Sequence, residues 1–301
     1  MQPTLSLHNV HKSFATVRAV DGVSFEVYSG EIFGLLGPNG AGKTTTIRMI
    51  MDILRPDRGE IRVLGRTPRE VRERVGYLPE ERGLYPGMRV VDILVYLAEL
   101  KGRSRAWAHR RAMQLLAEVD LEDRARSKVR ELSRGMQQKV QFLAAIIHDP
   151  EICVFDEPFQ GLDPVNLQLV KEIMRKLQRQ GKTIILSTHQ MNQVEALCNR
   201  IALINKGKLI LYGDLQQIKE EHSPNIILLR ANGHLPDIPG VARVEQRDGQ
   251  FYLELQPGVS PQEVLARLVE ARVPLLSFNV GLLPLEDIFV RVVKEMHHEP
   301  A

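Results

Sequence analysis

The stretch that decides the fold is Gly37-Pro-Asn-Gly-Ala-Gly-Lys-Thr44, in which three of the first six residues are glycine. A short apolar run, residues 32–36, precedes it, and residues 45–54 follow with apolar side chains at three-to-four spacing. The apolar run predicts a buried strand, and the three-to-four spacing predicts a helix. The stretch is therefore predicted to be a glycine-rich loop that joins a strand to a helix.

The spacing within this loop fits the pattern G-x-x-x-x-G-K-[ST], which predicts a phosphate-binding site. Backbone N–H groups of such a loop surround phosphate oxygens, and the start of the following helix adds positive potential. We expect Lys43 to reach the β- and γ-phosphates of ATP, and the Thr44 hydroxyl to bind Mg²⁺. The predicted ATP-binding residues of the loop are Gly37, Pro38, Asn39, Gly40, Ala41, Gly42, Lys43, Thr44 and Thr45.

Strands and helices alternate along the following chain, as in a doubly wound parallel sheet. The further predicted elements are strands at residues 152–155 and 183–186 and helices at residues 167–178 and 191–197. Two helical stretches, residues 90–100 and 105–119, follow one another with no strand between them. They predict a helical insertion into the sheet domain.

Near residue 222 the pattern changes, and we predict the start of a second, smaller domain there. Its predicted elements are strands at residues 226–230, 242–246, 251–255 and 275–280, a helix at residues 261–271 and a last helix from residue 285. Segments of this kind indicate an α+β domain. The predicted organisation is an α/β domain over residues 1–221, with a helical subdomain at about residues 82–135, and an α+β domain over residues 222–301.

Two carboxylates, Asp156 and Glu157, follow the predicted strand at residues 152–155. Open α/β folds bind ligands at the carboxyl edge of the sheet, where these side chains would lie. We expect Asp156 to hold Mg²⁺ and Glu157 to orient and polarise the water that attacks the γ-phosphate. A strand followed by two solvated acids is the alternative, which the upstream phosphate loop disfavours.

A second candidate anion site lies at residues 132–139, where Ser133 and Gly135 open an apolar-periodic helix. This segment has no phosphate lysine of its own, so a nucleotide bound there is most simply supplied by another copy of the chain. Two chains would then pair head to tail around two ATP molecules. An ordinary helix cap without a ligand is the alternative.

Residues 1 to about 220 resemble the nucleotide-binding subunit of ATP-binding-cassette (ABC) transporters, because the motifs occur in that family's order. The loop is similar to the Walker A motif, Asp156 and Glu157 to Walker B and the catalytic base, and residues 132–136 to the LSGGQ signature. The resemblance implies that ATP is hydrolysed with Mg²⁺ by Lys43, Glu157 and His189, the switch histidine. It further implies Phe14 for stacking on adenine, Asp163 in the D-loop, and Ser133, Arg134, Gly135 and Met136 for contacting ATP in trans.

Several positions depart from the family pattern. Glu80 replaces a glutamine and is implied as a metal-site residue, Arg134 and Met136 replace a glycine and a glutamine, and Gln160 replaces a small residue. These variants and the ending at residues 284–290 are similar to the exporter branch that has ABC-2-type membrane subunits, including sodium-efflux ATPase subunits. The resemblance implies an ATPase subunit that dimerises and drives a separate ABC-2-type permease.

Composition sets further limits. Forty Lys and Arg residues against 37 Asp and Glu give a net charge of +3, so we expect no nucleic-acid partner. Cys153 and Cys198 match no metal-ligand spacing and predict core thiols in a reducing cytoplasm. Residues 1–10 contain no basic segment followed by an apolar stretch, which is the pattern of a leader, and no window reaches the ~18 apolar residues of a membrane span. We therefore expect a cytoplasmic protein, peripheral on the inner face of the cell membrane.

Two other functions stay open at this point: a soluble ABC ATPase that acts on ribosomes, DNA or cluster assembly, and a phosphate-binding regulatory module without turnover. The single phosphate loop and the lack of a long coiled coil disfavour the first. Glu157 and His189 disfavour the second. Contacts to cargo would lie on the membrane subunit, so sodium, a drug, a lipid or a polysaccharide all stay open as cargo.

Overall fold

The structure is a computed structural model that describes residues 2–81, 83–223, 226–232, 235–247 and 249–298. Contacts between residues divide the chain into two compact units, Met1–Asp214 and Leu215–Ala301. The division lies before the boundary near residue 222 that the sequence pattern predicts. The limits of the two domains therefore stay a prediction.

The first unit contains nine named strands and six α-helices within the described residues. The strands are β1 (Leu5–Phe14), β2 (Val17–Val27), β3 (Ile32–Leu36), β4 (Arg58–Val63), β5 (Val75–Leu78), β6 (Ile152–Asp156), β7 (Thr183–Thr188), β8 (Arg200–Asn205) and β9 (Lys208–Asp214). The helices are α1 (Lys43–Ile50), α2 (Val90–Glu99), α3 (Arg105–Glu118), α4 (Arg134–Ile146), α5 (Pro164–Arg179) and α6 (Met191–Glu195).

A six-stranded sheet carries the candidate site, with the strand order β5-β6-β7-β3-β8-β9. Its strands run parallel except for β9, which is antiparallel to β8. Every residue of β3, β6 and β7 is buried, as expected for the inner strands of a parallel sheet. The carboxyl ends of these strands lie at one edge, and the α/β prediction is confirmed.

A three-stranded antiparallel sheet of order β2-β1-β4 packs against the same core, and the sequence pattern did not predict it. Phe25 of β2 stacks on Phe33 of β3 with ring centroids 5.3 Å apart. The register of β1 on β2 shifts between Leu7 and Val10, and again after Val10. Such bulges break the two-residue alternation by which a strand is recognised.

The helical insertion is present as α2 and α3, which pack on each other through buried residues such as Ile93, Leu94, Leu115 and Leu116. Helix α1 ends at Ile50, earlier than residue 54, because the chain turns at Asp52, which has a left-handed φ of 55°. Cys153 and Cys198 are buried and form no disulfide. Burial raises the pKa of Cys153 to about 12, so it stays a thiol.

The second unit is the predicted α+β domain. Its elements are α7 (Leu215–His222), β10 (Ile226–Ala231), β11 (Val241–Arg247), β12 (Gln250–Leu255), α8 (Pro261–Glu270), β13 (Leu275–Val280) and α9 (Leu285–His298). The strands form an antiparallel sheet of order β11-β12-β10-β13. Leu229 and Leu253 of this sheet form a core with Val264 and Leu268 of α8. Across the described parts of both units, every helix is too short or too polar to cross a membrane.

Candidate functional site

The loop after β3 is held close to its neighbouring strands. Gly37 has a φ of 149°, and a Cβ there would lie 2.1 Å from the carbonyl oxygen of Ile204 in β8. A Cβ at Gly42, where φ is 111°, would lie 2.3 Å from the carbonyl oxygen of Ala19 in β2. Any side chain at these two positions would collide with backbone, so only glycine permits this loop path.

The loop leads directly into α1, which begins at Lys43. Ala41 is fixed from outside, because its carbonyl oxygen accepts a hydrogen bond of 2.9 Å from the N–H of Gly207. Along the loop, Asn39 and Gly40 are exposed, Pro38, Thr44 and Thr45 are half-buried, and Gly37, Ala41, Gly42 and Lys43 are buried. Residues 37–42 therefore form a loop with an exposed tip, and Lys43, Thr44 and Thr45 lie in the first turn of α1.

Lys43 is a buried cation at the centre of the site, 5% exposed. Its ammonium donates hydrogen bonds to the carbonyl oxygens of Gly37 at 2.8 Å and Pro38 at 3.2 Å. It also forms an ion pair with Glu157, with 3.4 Å between Nζ and Oε1. The ammonium thus joins the loop to the end of β6.

Asp156 is the last residue of β6 and is buried. Its Oδ1 accepts hydrogen bonds from the hydroxyls of Thr44, at 3.3 Å, and Ser187. Its Oδ2 is buried and has no hydrogen-bond partner among the described residues. Burial raises the pKa of Asp156, an effect that its hydroxyl partners oppose. A nearby cation would stabilise the charged carboxylate.

These residues fit Mg²⁺, a hard cation that takes oxygen ligands. The Thr44 hydroxyl and the unpartnered Oδ2 of Asp156 are the oxygens that would hold it. Within the described parts of the chain, no three His, Cys, Asp or Glu side chains are grouped so that they could hold a metal. Mg²⁺ is commonly bound by one or two carboxylates together with substrate phosphates, which suits a site of this kind.

Glu157 follows β6 in a left-handed conformation with a φ of 49°, which is rare for a residue with a side chain. Its Oε1 lies 3.0 Å from Nδ1 of His189 and 3.4 Å from Nζ of Lys43. Its Oε2 is buried and without a hydrogen-bond partner among the described residues. The three predicted catalytic side chains therefore meet at one carboxylate oxygen, which leaves the other oxygen for a ligand.

Glu80 is exposed and lines a cavity of about 220 Å³ together with Asp156 and Glu157. The segment that carries Glu80 is fixed by Gln141, whose side-chain amide donates to the carbonyl oxygens of Pro79 at 3.2 Å and of Glu81 at 3.0 Å. The structure thus brings Glu80 close to Asp156 and Glu157 at the end of β6, a region that we call the acidic edge. Its role as a metal ligand stays a prediction.

Phe14 ends β1 at the turn into β2, and 45% of it is exposed. The ammonium of Lys12 lies 5.6 Å from the centroid of its ring. An exposed aromatic ring is suited to stacking on a planar base. The adenine contact of Phe14 stays a prediction.

The signature residues, Ser133 to Met136, lie at the start of α4. Ser133 caps α4, because its hydroxyl accepts a hydrogen bond of 3.3 Å from the N–H of Met136. Ser133 and Arg134 are exposed, whereas Gly135 and Met136 are half-buried. In the part of the chain that the structure describes, no hydrogen bond or ion pair joins these four residues to Lys43 or to the acidic edge.

Asp163 caps α5 and is exposed. Its Oδ1 accepts hydrogen bonds of 3.0 Å from the N–H groups of Val165 and Asn166. These bonds, that from Asn166 foremost, lower the pKa of Asp163. The structure therefore gives Asp163 a capping role, and its D-loop role stays a prediction.

Sequence reasoning missed two residues of the site. Ser187 lies two positions before His189 and contacts both acids, so its proximity to a predicted site residue was a usable signal. Gln141 lies within the long helix α4, and nothing in its sequence surroundings distinguishes it.

Comparison with known proteins agrees with this geometry. A family model described as "ABC transporter" matches residues 20–160, and one described as "ATP-binding protein DrrA1-3-like, C-terminal domain" matches residues 213–293. The "Uncharacterized ABC transporter ATP-binding protein YhaQ" of Bacillus subtilis (strain 168) is 38% identical over 293 residues, which cover 96% of this chain and 98% of YhaQ. The "Linearmycin resistance ATP-binding protein LnrL" of the same strain is 37% identical over 303 residues, with 96% and 97% coverage.

Two solved structures have the same fold as the first unit. One is described as "Structure of ATP binding subunit of ABC transporter", with a TM-score of 0.68, 33% identity, and coverage of 72% of this chain and 92% of that chain. The other is the dimeric ATP-binding cassette MJ0796 in a post-hydrolysis state bound to ADP and Pi, with a TM-score of 0.65, 25% identity, and coverage of 70% and 98%. The chain therefore belongs to the ABC transporter family, as an ATP-binding subunit that hydrolyses ATP with Mg²⁺.

Proposed function

We propose that this chain is the ATP-hydrolysing subunit of an exporter, and that it drives a separate membrane permease of the ABC-2 type. The observation that carries the ATPase assignment is the meeting of Lys43 Nζ and His189 Nδ1 at Oε1 of Glu157. Export is supported by similarity over nearly the whole chain to a relative named for linearmycin resistance. A soluble ABC ATPase with a non-transport partner is the alternative, and no observation favours it.

In the proposed mechanism the loop N–H groups and Lys43 hold the phosphates of ATP. A triphosphate offers the ammonium stronger acceptors than the carbonyls of Gly37 and Pro38, so binding draws Lys43 away from Glu157. Thr44 and Asp156 would hold Mg²⁺, which neutralises charge on the phosphates when bound.

Glu157 then acts on the attacking water. Its unpartnered Oε2 can accept a hydrogen bond from that water and thereby orient and polarise it. His189 lies within hydrogen-bond distance of the other oxygen and keeps the carboxylate in place. Its side chain is 39% exposed, and we assign it a second contact, with the γ-phosphate of bound ATP.

A second copy of the chain completes the site in this proposal. Ser133 and Arg134 are exposed at the start of α4, where N–H groups and the helix dipole favour an anion. We assign them to the γ-phosphate of ATP held by Lys43 of the partner, in a head-to-tail homodimer. The dimeric form of the structurally similar cassette bound to ADP and Pi supports this arrangement.

The first unit has a groove that we assign to the permease as its docking site. A cavity of about 560 Å³ lies between the helical insertion and the segment after α1. Its apolar lining includes Ile53 and Leu100, which are 57% and 60% exposed. Exposed apolar side chains in a concave surface mark a protein contact. Gln141 lines both this groove and the acidic cavity, so a protein bound here would touch the element that holds Glu80.

The test is copurification of this chain with its permease. The candidate permease is the product of an adjacent reading frame that encodes about six membrane spans. The tagged chain should retain this membrane protein, and Leu100→Asp should lose it while keeping basal ATPase activity. Val269→Asp is the matched control, because Val269 is also 60% exposed but lies on α8 of the second unit.

Equal retention by Leu100→Asp and the control would contradict the groove assignment. Copurification of ribosomes or DNA in place of a membrane protein would support the soluble alternative. This placement of the chain implies that it works at the inner face of the cell membrane.

A further inference from the structure

Ser187 is a fully buried hydroxyl near the end of β7 that contacts both acids of the site. Its Oγ donates a hydrogen bond to Oδ1 of Asp156 and accepts one of 3.2 Å from the backbone N–H of Glu157. A hydroxyl has one proton to donate and lone pairs to accept, so a single side chain satisfies both contacts.

We propose that Ser187 is a positioning residue for ATP hydrolysis. It fixes the Asp156 carboxylate and the Glu157 backbone relative to each other, an inference that rests on the proposed role of Glu157. In this role Ser187 acts through Asp156 and Glu157, the two residues that its hydroxyl contacts.

The backbone of Glu157 needs such support because its φ of 49° is unfavourable for a residue with a Cβ. Its N–H is shared between the carbonyl oxygen of Ser187 at 3.1 Å and the hydroxyl of Ser187 at 3.2 Å. These contacts fix the turn after β6, and this turn aims the Glu157 carboxylate at His189 Nδ1. Without the hydroxyl, the N–H of Glu157 keeps its hydrogen bond to the backbone carbonyl oxygen of residue 187, which any residue type at that position would provide.

The orientation of Asp156 depends on the same hydroxyl. Ser187 and Thr44 both donate to Oδ1, which leaves Oδ2 as the oxygen without a partner. Ser187 is 0% exposed, so bulk solvent does not contact its hydroxyl in the folded chain. Removal of the hydroxyl therefore leaves Thr44, at 3.3 Å, as the only donor to Oδ1 in the described part of the chain.

The opposite end of β7 provides a matched control. Thr183 is also buried, and its hydroxyl oxygen accepts a hydrogen bond of 3.1 Å from the N–H of Gly30. Thr183→Val deletes a buried hydroxyl from the same strand without a contact to either acid. It reports what the loss of such a bond does to the fold alone.

The experiment measures kcat, KM, nucleotide affinity and thermal unfolding for Ser187→Ala, Ser187→Thr, Thr183→Val and Glu157→Gln. Ser187→Ala should lower kcat by about 10- to 100-fold, as expected for misplaced catalytic groups, with KM and ATP affinity changed by less than about threefold. Ser187→Thr keeps the hydroxyl and should recover most of kcat. Thr183→Val should keep the wild-type kcat even where it lowers the unfolding temperature.

Ser187→Cys is measured beside Ser187→Thr, because the added methyl group of threonine enters a fully buried position. A wild-type kcat for Ser187→Ala, or an equal loss in Thr183→Val, would overturn the inference. Turnover by Glu157→Gln close to wild type would instead refute the proposed role of Glu157. Loss of turnover in Glu157→Gln with none in Ser187→Ala would refute the positioning role alone.

Discussion

The acidic edge and the start of α4 differ in how far a single chain completes them. At the edge, Lys43 and His189 both contact Glu157, which is 8% exposed. At the start of α4, Ser133 is exposed, and among the described residues its hydroxyl forms a hydrogen bond only with the N–H of Met136. One chain therefore assembles the proposed base and its partners, whereas the proposed second anion site is exposed and lacks a ligand group from another copy. This difference is what a site shared between two copies requires.

The largest expected effect is at the acidic edge, which a single chain completes. Lys43→Ala should lower ATP turnover by about 10³-fold and remove most ATP affinity, because preorganised charge at a reacting phosphate supplies a large part of catalysis. A phosphate-release assay and nucleotide-binding titration would measure this.

Lys182→Ala is the matched control for that variant. Lys182 forms an ion pair of 2.8 Å with Asp149, away from the loop, and its removal should leave turnover unchanged. Near-normal hydrolysis by Lys43→Ala would remove the assignment of the phosphate loop.

The next largest effect depends on both the acidic edge of one chain and the start of α4 of its partner. Glu157→Gln keeps the size of the side chain but removes the negative acceptor, so turnover should fall by about 10²-fold or more while ATP still binds. The blocked enzyme should then accumulate as an ATP-bound dimer, because ligand that binds only the dimer shifts the equilibrium by mass action. ADP should be much less effective, since it lacks the γ-phosphate that Ser133 of the partner would contact. Size-exclusion chromatography with each nucleotide would show this.

Ser133→Arg in the Glu157→Gln background tests the open half directly. The added bulk should prevent closure, so this variant should stay monomeric with ATP. A Glu157→Gln protein that is monomeric at saturating ATP, or that dimerises equally with ADP, would rule out the head-to-tail arrangement.

The two halves also differ in what the sequence could predict. The loop could be predicted because its residues are contiguous and flanked by a recognisable strand and helix. Asp156 and Glu157 could be placed because a buried strand ends at them. Ser187 could not, since its contact with Asp156 spans 31 positions and depends on β6 and β7 being neighbours. The antiparallel sheet was missed because bulges in β1 interrupt the alternation.

Ser133 shows a different limit. Its sequence suggested an anion site, with an ordinary helix cap as the alternative. The structure shows the cap, and the anion site stays a prediction. A contact to a second chain leaves no trace in the packing of one chain. The role of Ser133 therefore has to be tested on the dimer, by the chromatography of Glu157→Gln.

The smallest expected effect is on the pH dependence of stability, and it concerns the buried C-terminal end of α4. His148 follows this helix, is 3% exposed, and has a ring nitrogen 3.2 Å from the carbonyl oxygen of Val75. Burial, followed by the positive charge of Lys101, lowers the pKa of His148 from 6.5 to about 4. The folded chain therefore keeps this ring neutral at a pH where the unfolded chain binds a proton.

The sign of the pH effect follows from this difference. The unfolded state binds more protons between pH 6.5 and about 4, so the free energy of unfolding should fall as the pH drops through that range. A shift of this size corresponds to about 3 kcal/mol at most. Urea unfolding of the wild type and of His148→Gln, which removes the titrating ring, should show a shallower pH dependence in the variant. His109→Gln, on the exposed side of α3, should leave the wild-type dependence unchanged. If the free energy of unfolding changed equally with pH in the wild type and in His148→Gln, other groups would cause the acid sensitivity. His148 would then contribute nothing to it, despite its burial.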